Sequence, residues 1–309
     1  MTTSTMTDRQ PTSTTGAVRP ELRALDGIYR ARGLHWVGDG FRVAGFFSAI
    51  PDAVRKLSPF LLLDYRPTYE YAPTDKPRGV GVHPHRGFET VTIAWQGSVA
   101  HHDSSGGGGV IGPGDVQWMT AASGILHKEY HEKEYARRGG PFQMAQLWVN
   151  LPRAHKMSPP RYQGIVAEQI GVVTLPDDAG SVRVIAGEYL GVKGPAKTFT
   201  KVDVFDVRLE EQGKVHFAFP AHHNVGLLVM KGDVVINGTQ ATLHDFAVFE
   251  NVGELVVIEA ESEAQLLVLS GEPIDEPVVQ HGPFVMNTAQ EIDQAFTDLQ
   301  RGKFGHLAD

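Results

Sequence analysis

Six of the chain's fourteen histidines, His83, His85, His101, His102, His127 and His131, fall between residues 83 and 131. Two pairs within that cluster could do chemistry together: His83-Pro-His85 and His127-Lys-Glu129. Both have i, i+2 spacing, which on a β-strand turns both side chains of a pair to one face. Two such strands facing each other inside a barrel would gather three neutral imidazoles and one carboxylate, a donor set suited to a first-row transition metal. Such ligands leave positions open on an octahedral ion, where small molecules bind, unlike a closed tetrahedral zinc site. Glu89 is a rival carboxylate, because it shares parity with His83 and His85 if their strand runs unbroken. Arg86-Gly87 interrupts that strand, however, and a glycine there marks a bulge that changes the facing. Spacing alone leaves Glu89 and Glu129 both open. His101 and His102 are adjacent, so at most one faces inward; they read as a polar strand end or as groups supporting the ligands.

The elements that must position these residues are short strands. Val91–Trp95, Val116–Met119 and Ala145–Val149 carry β-branched and aromatic residues between turn formers, and the same texture returns in 225–230, 234–236, 256–258 and 266–269. Three prolines in 152–160 mark a crossing between two halves. A weak internal repeat relates those halves. Trp95-Gln-Gly97 resembles Met230-Lys-Gly232, Gly114-Asp115 resembles His244-Asp245, and Gln146-Leu-Trp-Val resembles Gln265-Leu-Leu-Val. Thr288-Ala-Gln-Glu291 is a capping box, followed by Ile292, Ala295, Phe296 and Leu299 at helical spacing. Ser104–Gly109 reads as a hairpin turn, since it lacks the lysine of a phosphate loop and opens no helix. Trp95, Trp118 and Phe142 read equally as core or as residues that grip an aromatic ring.

Composition narrows the function. The 309 residues suffice for two domains. With no cysteine, disulfide scaffolds, thiolate metal sites and thiol nucleophiles are excluded. A net charge of −8 without Lys/Arg runs argues against direct nucleic-acid binding. No apolar run approaches the ~18 residues of a membrane span, and the first twenty residues carry no targeting pattern. These features lead to the expectation of a cytoplasmic protein with a disordered tail over 1–20, an N-terminal metal-binding domain over 21–153 and a C-terminal domain over 154–309.

The runs His83-Pro-His-Arg-Gly-Phe-Glu-Thr-Val91, Gly109–Thr120 and Ser123-Gly-Ile-Leu-His-Lys-Glu129 closely resemble the pirin family, as do Gln146–Pro152 and Gly282-Pro-Phe-Val-Met-Asn-Thr288. The resemblance implies an all-β bicupin: two jelly-roll-like barrels face to face with a short C-terminal helix, and one iron ion (Fe2+/Fe3+, or another divalent metal) in the N-terminal barrel only. Carried over position by position, the ligands are His83, His85, His127 and Glu129, so the resemblance favours Glu129 over Glu89. In the second half His222-His223-Asn224 offers His-x-Asn where the first has His-x-His, in keeping with a metal-free barrel.

The family further implies a quercetin 2,3-dioxygenase that cleaves a flavonol ring with O2, and Glu129 is then also a candidate general base for the substrate hydroxyl. The alternative is a metal-bearing, redox-sensitive regulatory protein that binds protein partners, in the manner of a transcription co-regulator. Without thiols, any redox sensing would act through the metal.

Overall fold

The structure, a computed structural model, describes residues 21–308; the tail expected over 1–20 lies outside the described residues. The first half of the chain forms β1 (Leu25–Arg30), β2 (Leu34–Val37), β3 (Phe41–Gly45), β4 (Phe60–Tyr71), β5 (Gly79–His85), β6 (Phe88–Gln96), β7 (Val99–Asp103), β8 (Gly108–Ile111), β9 (Val116–Thr120), β10 (Ile125–His131), β11 (Gly140–Asn150) and β12 (Arg161–Ile165). The second half forms β13 (Gly171–Thr174), β14 (Gly180–Ala186), β15 (Glu188–Tyr189), β16 (Val192–Lys193), β17 (Val202–Leu209), β18 (Lys214–Ala218), β19 (Asn224–Lys231), β20 (Val234–Ile236), β21 (Thr239–Ala241), β22 (Asp245–Phe249), β23 (Leu255–Ala260), β24 (Ala264–Gly271), β25 (Val279–His281) and β26 (Phe284–Met286). Helices are short: α1 (Ala53–Lys56), α2 (Lys133–Arg138) and α3 (Ala289–Gln300). None is long and apolar enough to cross a membrane. Each strand anticipated from the sequence falls inside an observed one.

Each half pairs a seven-stranded sheet with a four-stranded one. The first barrel combines β12-β9-β6-β11-β4-β3-β2 with β5-β10-β7-β8; the second combines β1-β22-β19-β24-β17-β14-β13 with β18-β23-β20-β21. The largest buried cluster lies between the barrels, where Val91, Ile93, Trp95 and Trp118 of one large sheet join Leu228, Met230, Phe246 and Val248 of the other. The intervening positions of the same strands therefore turn into each barrel. Because both faces of these large sheets are covered, their strands read as continuous apolar runs, and that burial is the main stabilising term.

The internal repeat is real in the hydrogen-bond register, with one correction. Ile93 pairs with Val116 as Leu228 pairs with Phe246, which agrees with the first two resemblances. Gln143 pairs with Gln96 and Gln265 with Lys231, so the counterpart of Gln265 is Gln143, three residues before the Gln146 that its letters suggest. The structural counterpart of Gln146 is Val268.

Both ends of the described chain cross over. At the N-terminal end, strand β1 pairs with β22 of the second barrel. The segment from β25 through α3 lies against the first barrel: Arg86, next to a candidate ligand, ion-pairs with Asp298 of α3 at 3.0 Å, with both side chains buried, and its guanidinium sits 4.6 Å over the Phe304 ring. The helix begins as anticipated, with Thr288 and Glu291 capping each other's backbone N–H groups.

Candidate metal centre

Strands β5, β10 and β7 carry five of the six clustered histidines on one inward face, His102 alone of the six being exposed. In register, His127 stands opposite His83 on one side and Asp103 on the other, while Glu129 stands opposite His101. Directly opposed residues of antiparallel strands point to the same face, which sets His127 beside His83 and Glu129 beside His101. A bulge between His127 and Glu129 shifts the register against β5. Strand β5 ends at His85, and in the turn that follows Gly87, with a φ of +90°, reverses the chain; a Cβ there would overlap the Val285 carbonyl oxygen. Past that bend Glu89 is directed elsewhere, where its Oε1 accepts from Thr120 Oγ1 at 2.6 Å and lies 3.8 Å from Arg161.

The possible ligand atoms form two overlapping triads. Those of His83, His85 and His127 lie within 4.8 Å of one another, as do those of His101, His127 and Glu129. Among the described residues these are the groups of three or more metal-capable side chains. His85, His127, Glu129 and His101 are buried, and His83 is half-buried at the cavity.

Hydrogen bonds decide which nitrogen each ring presents. His83 Nδ1 meets the Gly81 carbonyl at 2.8 Å and His85 Nδ1 meets the Pro283 carbonyl at 3.3 Å. A carbonyl only accepts, so both Nδ1 atoms carry the proton and both Nε2 atoms keep a lone pair. His127 Nε2 is buried with no hydrogen-bond partner. An orphaned buried acceptor is costly, and a cation is the partner that the converging lone pairs of His83, His85 and His127 suit. Burial, reinforced by the neighbouring His83, pushes His85 down to about 3. Burial likewise pushes His127 well below its usual value, with His85, His83 and His101 adding to the effect. Both rings are therefore neutral at pH 7, the form that binds a metal.

Glu129 is held from the opposite sheet. Its Oε1 accepts from Gln117 Nε2 at 2.7 Å and from Thr92 Oγ1 at 3.2 Å, and its Oε2 from Gln146 Nε2 at 2.9 Å. Beside it opens a narrow cavity of about 30 Å³. Val37, Phe41, Val43, Val80, Val99 and Met144 form its apolar wall, and Asp64, His83, Thr92, Glu129 and Gln146 its polar end. Burial raises the Asp64 carboxyl above its ordinary value, with His35 Nε2 at 4.0 Å opposing the shift.

The remaining histidines divide cleanly. His102 is exposed and stacks on Tyr130. His131 is a core residue: it donates from Nε2 to the Gly40 carbonyl at 3.0 Å, lies against Phe142, and is pushed by burial down to about 4. Trp95, Trp118 and Phe142, open between two readings in the sequence, are buried in the core and do not line this cavity. Reading the sequence missed the partners Thr92, Gln117, Gln146, Asp64 and Asp103. The available signal was a polar residue at the centre of each otherwise apolar strand: Val-Thr92-Ile, Val-Gln117-Trp, Ala-Gln146-Leu.

The second barrel offers no such set at the equivalent positions. His222 and Asn224 are not the counterparts of His83 and His85. Strand register aligns Val256 with His127, and Val256 pairs with Phe217, so Phe217 and Phe219 take those places. His223 instead contacts Ser270 Oγ, and Asn224 donates to the Arg55 and Ser58 carbonyls.

Two barrels face to face, with a histidine- and carboxylate-lined interior in the first, define a bicupin. Residues 40–149 match the family model described as Pirin, and residues 204–305 match that of the pirin C-terminal cupin domain. A Pseudomonas aeruginosa protein provisionally named a quercetin 2,3-dioxygenase is 49% identical over 283 residues, covering 92% of this chain and 99% of that one. Pirin of Mus musculus is 40% identical over 259 residues, covering 82% and 84% respectively. The crystal structure of quercetin 2,3-dioxygenase from Acinetobacter baumannii is 47% identical with a TM-score of 0.89, covering 93% of this chain and all of that one. The chain belongs to the pirin family.

Proposed function

We propose that this chain is an iron-dependent dioxygenase that opens the ring of a flavonol such as quercetin with O2. The ligands in this reading are His83, His85, His127 and Glu129, in the first barrel, built mainly from residues 21–153, and the second barrel, built mainly from 154–309, holds no metal. The observation that carries it is the convergence of the His83, His85 and His127 lone pairs, one of them orphaned in the core, with Glu129 in a second triad that shares His127, beside an apolar-walled cavity. The names of the similar proteins from P. aeruginosa and A. baumannii support the substrate class. An ion held there would supply Lewis acidity toward an enolic hydroxyl beside a carbonyl, and electron exchange with O2.

The protein's own residues do the rest. The apolar wall excludes bulk water, and flat aromatic rings enter it only as the narrow cavity widens around them. Thr92, Gln117 and Gln146 fix the Glu129 carboxylate by three hydrogen bonds, which leaves it little freedom to act as a base. Asp64 lies at the same polar end, and its raised carboxyl suits it better to take the hydroxyl proton near neutral pH. Iron-loaded protein with quercetin should consume O2 and release ring-cleaved product. Turnover at background, unchanged in His127→Ala, would remove the dioxygenase reading.

One observation favours the regulatory alternative: His85 of the metal-bearing strand contacts Pro283, and the adjoining Arg86 contacts Asp298, on a C-terminal segment whose helix exposes Gln290, Asp293 and Gln294. That reading predicts a protein partner retained by ferric and not by ferrous protein, or the reverse, in pulldowns on both states.

A further inference from the structure

Behind the candidate ligands lies a buried chain of polar groups with no direct place in the reaction proposed above. Asp103 Oδ2 is 3.2 Å from His101 Nε2, and both side chains are fully buried. His101 Nδ1 is in turn 3.4 Å from His127 Nδ1 and 3.2 Å from Gln117 Nε2. The Tyr162 ring stacks on His101 at 5.0 Å. We propose that Asp103 and His101 are positioning residues of the metal centre, which set through a relay of hydrogen bonds the nitrogen that His127 offers to the ion. The proposal rests on the ligand reading above.

The donor and acceptor roles follow in order from the one group with no choice. The Asp103 carboxylate only accepts, so His101 carries its proton on Nε2. Gln117 Nε2 also faces Glu129 Oε1 at 2.7 Å, another group that only accepts, so it is the amide nitrogen and a donor. His101 Nδ1, facing that donor, is an acceptor. His127 Nδ1 therefore carries a proton and donates, and the lone pair of His127 is left on Nε2, the atom found without a partner. Gln117 ties the same acceptor to Glu129, so one buried network orients two ligands from behind. Asp103 Oδ1 is itself fixed by the N–H groups of Ser105 and Gly107 and the Ser105 hydroxyl.

Asp103→Asn tests the relay by reversing its first link. The amide oxygen can keep the Ser105 and Gly107 contacts, while its NH2 faces His101 Nε2 and forces the proton to Nδ1. That proton then opposes the Gln117 amide and His127 Nδ1, and His127 relieves the conflict by moving its own proton to Nε2, the ligand atom. His101→Phe keeps the ring against Tyr162 and removes the relay without forcing that proton shift. Full-length metal-free protein would be titrated with cobalt(II), with binding followed by its visible spectrum. Asp103→Asn should bind roughly 10–100-fold more weakly than the parent, and His101→Phe should lose less. Affinity in Asp103→Asn within twofold of the parent, or a greater loss in His101→Phe, overturns the relay. Nitrogen-15 NMR of the metal-free parent reads the tautomer without any variant: His127 protonated on Nδ1 supports the relay, and on Nε2 overturns it. His127→Ala in the same titration keeps the two claims apart, because unchanged cobalt binding there removes the ligand reading itself.

Discussion

The two barrels share their strand order and even a bulge at the same place, opposite Trp95 in one and Met230 in the other, yet their interiors are opposite in chemistry. Carried across by register, His83, His85, His101, His127 and Glu129 correspond to Phe217, Phe219, Ile236, Val256 and Ile258. The donors Thr92, Gln117 and Gln146 correspond to Leu227, Ala247 and Val268. All eight replacements are apolar and lie in the buried core cluster of the second barrel. Ligands and supporting donors are present together or absent together. A buried carboxylate is tolerable only with its hydrogen bonds, and those donors are tolerable only with an acceptor.

The largest test of this contrast makes the first barrel resemble the second. His127→Val should take metal content from about one ion per chain to near none, with O2 uptake at background; metal retained in that variant would break the comparison. The reverse change, Ile258→Glu, puts a carboxylate where Leu227, Ala247 and Val268 offer no donor. It should destabilise the fold by about 3–5 kcal/mol in urea unfolding, without creating a metal site.

Next in size is Asp298→Asn, which tests whether the C-terminal segment serves the first barrel. Leaving Arg86 buried without its partner should cost about 3 kcal/mol. The hydrogen bond from Lys303, with Gln294 and Arg86 adding to it, outweighs burial and holds the Asp298 carboxyl at about 2. Because that value lies below the ordinary 3.8, the stabilisation is complete above 3.8 and is lost as pH falls through 2. The parent should therefore lose more stability than the variant over that acid interval. Smallest is Asp64→Asn, which should lower turnover about 100-fold while leaving metal content unchanged. Equal loss of metal would make Asp64 a support of the centre instead of a proton acceptor.

Much of this architecture was legible in the sequence, because periodicity and turn residues report local structure directly. The strand segments, the capping box at Thr288 and the inward pairing of His83 with His85 and His127 with Glu129 all have local causes. The supporting network was not legible for a physical reason. Thr92, Gln117 and Gln146 sit in strands covered on both faces, so alternation of polar and apolar residues could not tell the barrel interior from the surface between barrels. The same covering led the letters of Gln265 to be matched with Gln146 instead of Gln143. Pro283 and Asp298 reach the centre from the far end of the chain, a distance no local pattern encodes.

The crossing of the chain's ends has a consequence in time. His85 finds the carbonyl that orients its ring 198 positions later in the chain, and Arg86 its carboxylate 212 positions later. A nascent chain that has emerged only as far as the first barrel has made every candidate ligand but lacks the groups that set His85 and balance Arg86. Barrels tend to fold in the order they are synthesised, yet here the earlier one is finished last. Selective capture of the metal then belongs to the completed molecule, after the second barrel has formed and its C-terminal segment has closed over the first.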